Sequence, residues 1–383
     1  MTDSQQYSIR LPQKVYGGVN AIENLRGIAS KFTKVVLFTD KSIGKAGLVA
    51  RPLKLLKEAG VLCEVLDNVP TEPMADDAAA LISDFRKLEA DLIVAVGGGS
   101  VMDIAKLAAV LDTGDYTLRD LLEDPARAQK QVKTVMIPTT AGTGSEATPN
   151  SIVTVPEKEL KVGIVNECMV ADYIILDAYF TQNLPYAIAA STGIDALCHA
   201  IECYTGKKAN PFSDIFAMEA MGLIFSNLEA ACIPAGSYAA KSAMLTASFY
   251  AGIAIAAAGT TAVHALAYPL GGKYRIAHGV SNAMLLAPVM KFNEDAVRSR
   301  LAAIHDRLNG GEGSQEEKSV RVIERITKLV NDLGIPTSLT QMGVPAQDLE
   351  ILVEKAMEVK RLLDNNAKRL EEKDVRAIYQ QIL

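Results

Sequence analysis

Short β-branched runs alternate with amphipathic helical segments from residue 16 to about residue 185, and beyond that point no strand-like run recurs. This change of pattern restricts the fold more than any other feature of the chain. Strand–helix alternation at such spacing predicts a parallel sheet covered on both faces by helices. Strands are expected at residues 34–39, 63–69, 91–96, 133–138, 152–155, 161–165 and 173–176, with helices at 47–59 and 75–88. The pair 152–155 and 161–165, separated by Glu157-Lys158-Glu159, reads as a β-hairpin added to that sheet. Helical patterns at 187–205, 211–225, 239–258, 261–268, 281–292 and 319–333 fill the second part. The expected architecture is an α/β domain with a parallel sheet over residues 1–185 and an all-α domain over 186–383. A cleft between the two is the default ligand site.

A chain of 383 residues with 49% apolar and 22% charged side chains is long enough and apolar enough for two ordinary globular domains. The balance of 39 basic against 45 acidic residues gives a net charge of −6, and no basic run is present. Nucleic acid is therefore not an expected partner. Five scattered cysteines without a CxxC pair read as reduced thiols of a cytoplasmic protein. The first fourteen residues are polar and lack the apolar core of a secretory signal. Residues 249–270 are the most membrane-like stretch, but Gly259-Thr260-Thr261 and His264 interrupt it, so a buried helix pair is expected and no membrane partner. The apolar helical half suggests a homodimer or higher homo-oligomer.

The strand at 92–96 runs directly into Gly97-Gly98-Gly99-Ser100, and a helix opens behind it. Glycines at such a turn let backbone N–H groups approach a phosphate, and the helix N-terminus adds partial positive charge. Ser100-x-x-Asp103 also fits a capping box, which would not account for three successive glycines. A second loop of small residues, 138–146, follows the next strand and carries Thr139, Thr140 and Thr143. Asp40 ends the first strand, where an acid can accept hydrogen bonds from an adenosine ribose or cap the following helix.

The chain has four histidines, and three of them, His199, His264 and His278, fall in its most apolar helical part. Asp195 and His199 are four residues apart on one helix face. His264 follows the glycine break, and His278 sits in the turn before the next helix. One carboxylate and three imidazoles make a divalent transition-metal site with room for substrate or water. His305, followed by Asp306-Arg307, stands apart.

These motifs, in this order and nearly end to end, resemble the iron-containing (group III) alcohol dehydrogenase family, as does the tail Leu362-Leu363-Asp364-Asn365-Asn366. The resemblance implies an N-terminal domain that binds NAD(H) and a C-terminal domain that binds metal and substrate. Asp40, Gly97, Gly98, Gly99, Ser100, Thr139, Thr140, Thr143, Asn150 and Lys161 then line the cofactor, Asp40 at the position associated with NAD over NADP. Asp195, His199, His264 and His278 match the ligands of a metal that is typically Fe(II), with Zn(II) in some members. The implied reaction is hydride transfer between nicotinamide and a small alcohol or aldehyde bound to the metal. Three positions depart from the family pattern. Tyr268 stands where many members carry a proton-transferring histidine, Thr71-Glu72-Pro73 replaces the usual Asn-Pro, and Ala277 replaces a proline. Tyr268 and Asp103 are the candidate catalytic side chains. The competing readings are a metal- and NAD-dependent lyase like dehydroquinate synthase and a binding module with a structural metal. The lyase would surround its metal with basic side chains for a polyanionic substrate, and only Lys273 and Arg275 lie between the last two ligands. Those two charges also raise the question of an anionic substrate.

Overall fold

A computed structural model describes residues 6–158 and 160–383. The main sheet has six strands in the order β1-β8-β5-β4-β2-β3, and every neighbouring pair is parallel. In chain order the strands are β1 (Lys14–Gly17), β2 (Lys34–Phe38), β3 (Leu62–Leu66), β4 (Leu92–Gly97), β5 (Lys133–Pro138), β6 (Asn150–Val155), β7 (Leu160–Val165) and β8 (Tyr173–Leu176). The central strands β2, β4 and β5 are almost continuous runs of buried β-branched and aliphatic residues, as a sheet covered on both faces requires. On one face Val35 and Leu37 pack with Val94, Val96, Val135 and Ile137. Phe38 meets Phe85 with ring centroids 5.5 Å apart.

The chain passes from β2 outward to β3 and then returns to place β4 on the other side of β2. This reversal is where open α/β sheets form a crevice beyond the carboxyl ends of their strands. Asp40, Gly98–Ser100 and Thr139–Thr143 lie just past the ends of β2, β4 and β5, and Gly97 is the last residue of β4.

Three expectations need correction. The hairpin β6–β7 forms, antiparallel, but as a separate two-stranded sheet. It is held by the helix Gly99–Val110, where Ser151 Oγ donates to the Asp103 carbonyl and the Ile152 N–H to Asp103 Oδ2. A further strand, β1, went unpredicted because four residues reading Lys-Val-Tyr-Gly carry too little pattern. Helices also run further than expected: Ala262–Tyr274 continues through Pro269, and the helix expected at 281–292 spans 32 residues, His278–Asn309. His278 consequently opens that helix instead of lying in a turn before it.

The chain divides into two compact units. One holds Arg10–Leu184 and takes in Pro234–Phe249; the other is built on Pro185–Ile233 and Tyr250–Leu383. Long-range bonds explain the excursion of 234–249. Tyr238 donates its hydroxyl to Asp177 at 2.7 Å, Gln182 donates to the Gly236 carbonyl, and Gly144 N–H donates to Ser248 Oγ. Two helices, Pro211–Cys232 and Tyr238–Ala258, are long and apolar enough to cross a membrane by length and composition only.

Candidate active site

The metal-ligand candidates gather in the helical unit. The donor atoms of Asp195, His199, His264 and His278 all lie within 4.8 Å of one another. From Asp195 Oδ1 to the Nε2 atoms of His199, His264 and His278 the distances are 3.8, 3.8 and 3.7 Å. A tetrahedral ion with bonds of about 2.1 Å needs donors roughly 3.4 Å apart, so small side-chain movements bring this set into coordination. Asp195, His199 and His264 are buried, and His278 is half-buried. Burial pushes the Asp195 carboxyl up, but His199, His278, His264 and the Asn282 amide outweigh it and hold it below its ordinary value.

Two side chains missed by the sequence reading orient this set. Glu202, fully buried, lies three residues beyond His199 on the helix Tyr186–Thr205. Its Oε2 takes the Nδ1–H of His264, which turns the Nε2 lone pair toward the other ligands. Its Oε1 accepts from Thr261 N–H at 3.1 Å, Thr261 Oγ at 2.6 Å and Val263 N–H at 2.8 Å, capping the start of the His264 helix. Asn282, one turn after His278, donates Nδ2 to Asp195 Oδ1 at 2.6 Å and lies 3.2 Å from Nε2 of both His264 and His278. Glu202 and Asn282 lie three and four residues beyond a candidate ligand on the same helix, a spacing that fits the site but does not by itself single them out.

The glycine break before His264 has its own support. Gly259 takes φ +72°, and Asn365 Nδ2 donates to the Ala258 and Thr260 carbonyls at 3.0 and 3.1 Å. The chain's tail thus satisfies the orphan carbonyls of one helix exactly one loop before the next begins, which accounts for the Asn365 motif. Tyr268 is buried on the His264 helix, its ring centroid 6.1 Å from that of His278. Lys273 pairs with Asp348 at 3.1 Å, and Tyr274 donates to the same carboxylate. Arg275 is exposed with φ +56°.

In the sheet unit the two small-residue loops meet. A Cβ added to Gly99 would lie 2.9 Å from the Thr143 methyl, and one on Gly98 would touch Thr140 at 3.5 Å. Thr139 donates its N–H to the Gly97 carbonyl, and its buried Oγ1 has no hydrogen-bond partner among the described residues. The helix Gly99–Val110 begins at this point with no side-chain cap, so the Ser100–Asp103 capping box does not form. A bare helix N-terminus, a backbone cradle that a Cβ would fill and an orphaned hydroxyl together fit a diphosphate. Asp40 caps the helix Lys41–Lys45 through the N–H groups of Ser42 and Ile43. It also lines a cleft of about 470 Å³ with Lys41, Ser42, Lys45 and Asn68.

Asp103 is used internally. Its Oδ1 accepts from Lys106 Nζ at 3.1 Å and Ser145 Oγ at 2.5 Å, and its Oδ2 from the Ile152 N–H. Lys106, wholly buried, reaches Thr148 Oγ1 and the Asn150 carbonyl as well. This network ties the 138–148 loop to the glycine-loop helix. Lys161 Nζ pairs with Glu72 Oε1 at 2.8 Å.

Glu146, in the same loop, is fully buried with Oε1 unpartnered, and burial pushes its carboxyl up to about 7 against the weaker pull of Lys106. Between pH 4.5 and 7 the folded state therefore keeps a proton that the unfolded chain releases, so stability falls as pH rises through that window. Glu146→Gln is expected to remove this loss, gaining up to ~3 kcal/mol over wild type above pH 7 and nothing near pH 4.5. Paired melting curves across pH 5–8 check it; parallel curves would place the carboxyl at an ordinary value.

Known proteins are similar to this chain along nearly its whole length. The iron-containing alcohol dehydrogenase family model matches residues 12–178, and the Fe-containing alcohol dehydrogenase C-terminal model matches residues 189–383. Long-chain-alcohol dehydrogenase 1 of Geobacillus thermodenitrificans (strain NG80-2) is 38% identical over 351 residues, covering 90% of this chain and 88% of the relative. A crystal structure of 1,3-propanediol oxidoreductase superposes with a TM-score of 0.89 at 31% identity, covering 99% of this chain and 100% of that one. Sulfoacetaldehyde reductase from Bifidobacterium kashiwanohense, solved with NAD+, gives 0.89 at 26% identity and covers 99% of both chains. The chain belongs to the iron-containing alcohol dehydrogenase family.

Proposed function

We propose a division of labour for this NAD(H)- and metal-dependent alcohol dehydrogenase in which the helical residues 186–383 hold metal and substrate and residues 1–185 hold the dinucleotide. Asp195, His199, His264 and His278 are the metal ligands, a reading supported above all by four donors converging within 4.8 Å. When bound, the cation, Fe(II) or Zn(II), polarises the substrate's C–O bond while the nicotinamide exchanges a hydride with the adjoining carbon. The remaining chemistry belongs to the chain's own side chains. Glu202 fixes the His264 tautomer, and Asn282 orients the Asp195 carboxylate. Tyr268 moves the alcohol proton from its place beside His278. Gly97, Gly98, Gly99 and Ser100 present backbone to the diphosphate, and Thr139, Thr140, Thr143, Asn150 and Lys161 complete the cofactor's contacts. Asp40 accepts from the ribose hydroxyls and repels a 2′-phosphate. Asp103 acts by anchoring this loop, since both its oxygens already accept bonds within the unit.

The substrate is a small alcohol or aldehyde. Lys273, one of two cations that hinted at an anionic substrate or a lyase, is neutralised by Asp348, which favours an uncharged one. Five free cysteines favour the cytoplasm, where we place the enzyme as a homodimer or higher homo-oligomer without membrane or nucleic-acid partner.

The test is NADH oxidation over an aldehyde panel, with NADPH alongside, after anaerobic metal removal and reconstitution. Chelation should abolish turnover and Fe(II) or Zn(II) restore it, with NADH preferred. Turnover indifferent to metal, or none on any aldehyde, would overturn the assignment.

A further inference from the structure

Glu72 carries a non-glycine residue into the left-handed region, at φ +53°, next to the glycine loop. L residues hold that conformation only where their surroundings impose it. Three contacts do so here. The Glu72 N–H donates to Ser100 Oγ at 3.2 Å, and the Pro73 carbonyl accepts from Thr154 N–H at 2.9 Å. The Glu72 carboxylate pairs with Lys161 Nζ at 2.8 Å, the lysine side chain being only 9% exposed. The preceding residues Asn68–Thr71 wall the Asp40 cleft. One short segment therefore runs from the Asp40 side of the crevice to Ser100 and ends on a carboxylate paired with the largely buried Lys161.

We propose that Glu72 is a charge latch on the dinucleotide site: by pairing with Lys161 it offsets the pull of that cofactor-lining ammonium on the diphosphate and so limits affinity and speeds release. The proposal rests on reading Gly97–Ser100 as the diphosphate site. A diphosphate arriving at the Ser100 N-terminus meets a neutral ion pair where an uncompensated Lys161 would attract it. The backbone bond from residue 72 to Ser100 needs no carboxylate, so Glu72→Gln removes the charge and preserves the turn.

The experiment is fluorescence titration of the intact holoenzyme with NADH, for wild type, Glu72→Gln, Lys161→Met, the double variant and Gly99→Ala, at two salt concentrations. Glu72→Gln should tighten NADH about fivefold at low salt, less at high salt, with the melting temperature of the free protein lowered, because a largely buried ammonium loses its countercharge while the amide oxygen can still accept from it. Its KM for NADH should fall by the same factor, and kcat should fall where release limits turnover. In the Lys161→Met background the gain should vanish. Unchanged or weaker binding in Glu72→Gln, or a gain that survives Lys161→Met, would overturn the latch. The underlying reading has a separate control: Gly99→Ala, whose methyl would press on Thr143 at 2.9 Å and push the two loops apart, should abolish binding, and intact binding there would move the diphosphate elsewhere and sink both.

Discussion

Asp195→Asn is expected to lose its metal and about three orders of magnitude in kcat/KM while keeping its fold. Asp195 is the only carboxylate among the four ligand candidates, the other three being imidazoles. The amide has the same shape, so the bond from Asn282 Nδ2 can pass to its oxygen. No cavity opens, and a buried charge is replaced by a neutral group, which spares the apoprotein. What disappears is the donor set's one negative charge, the largest electrostatic contribution to a divalent cation's affinity. Glu202→Gln should give a graded version, with metal affinity down about 10- to 100-fold. Its amide can still accept from Thr261 and Val263, but it offers an N–H to His264 Nδ1 and so favours the tautomer whose Nε2 carries the proton. Elemental analysis after dialysis against a chelator series reads both effects, with melting curves as the control for folding. Asp195→Asn that keeps a full complement of metal would remove that residue from the ligand set.

The clustering of the four candidate ligands was legible because imidazoles are scarce in this chain and an unpaired one is costly in an apolar helix. Glu202 was not, although it lies on the same helix, because a lone glutamate in sequence reads as a solvated charge. Only the fold places it against a helix start 59 residues on that has orphan N–H groups to satisfy. Glu72 and Lys161 are 89 residues apart, and local spacing cannot encode such a meeting. The parallel sheet was readable from its buried apolar runs, whereas the hairpin's detachment from that sheet depends on contacts with Asp103. The expected helix at 261–268 stops before Pro269, whereas the helix runs on through it to Tyr274, tertiary packing overriding the local break.

Gly279→Ala tests how closely the two ligand helices must approach. Gly279 follows His278 at the head of its helix, and a Cβ there would lie 2.3 Å from the Ser191 carbonyl oxygen and 2.7 Å from the carbon. Ser191 sits one turn before Asp195 on the helix Tyr186–Thr205. The obstacle is backbone within a buried helix, so relief requires the helices to separate where Asp195 and His278 converge. Overpacking of this kind costs about 3 kcal/mol, or a melting temperature roughly 4 °C lower for a chain of this size. It should also strip metal, because a movement of even half an ångström at His278 spoils a bond that tolerates about 0.2 Å. Gly193→Ala is the matched comparison. Its Cβ would come within 2.2 Å of Leu228, but the atom met is a terminal methyl that can swing to another rotamer. Its cost should be the smaller by 1 kcal/mol or more (on the order of the strain of one shifted rotamer), with metal content near wild type. Equal losses in the two variants, or Gly279→Ala with full metal and an unchanged melting temperature, would mean the helices have slack at this crossing and the ligand geometry is set elsewhere.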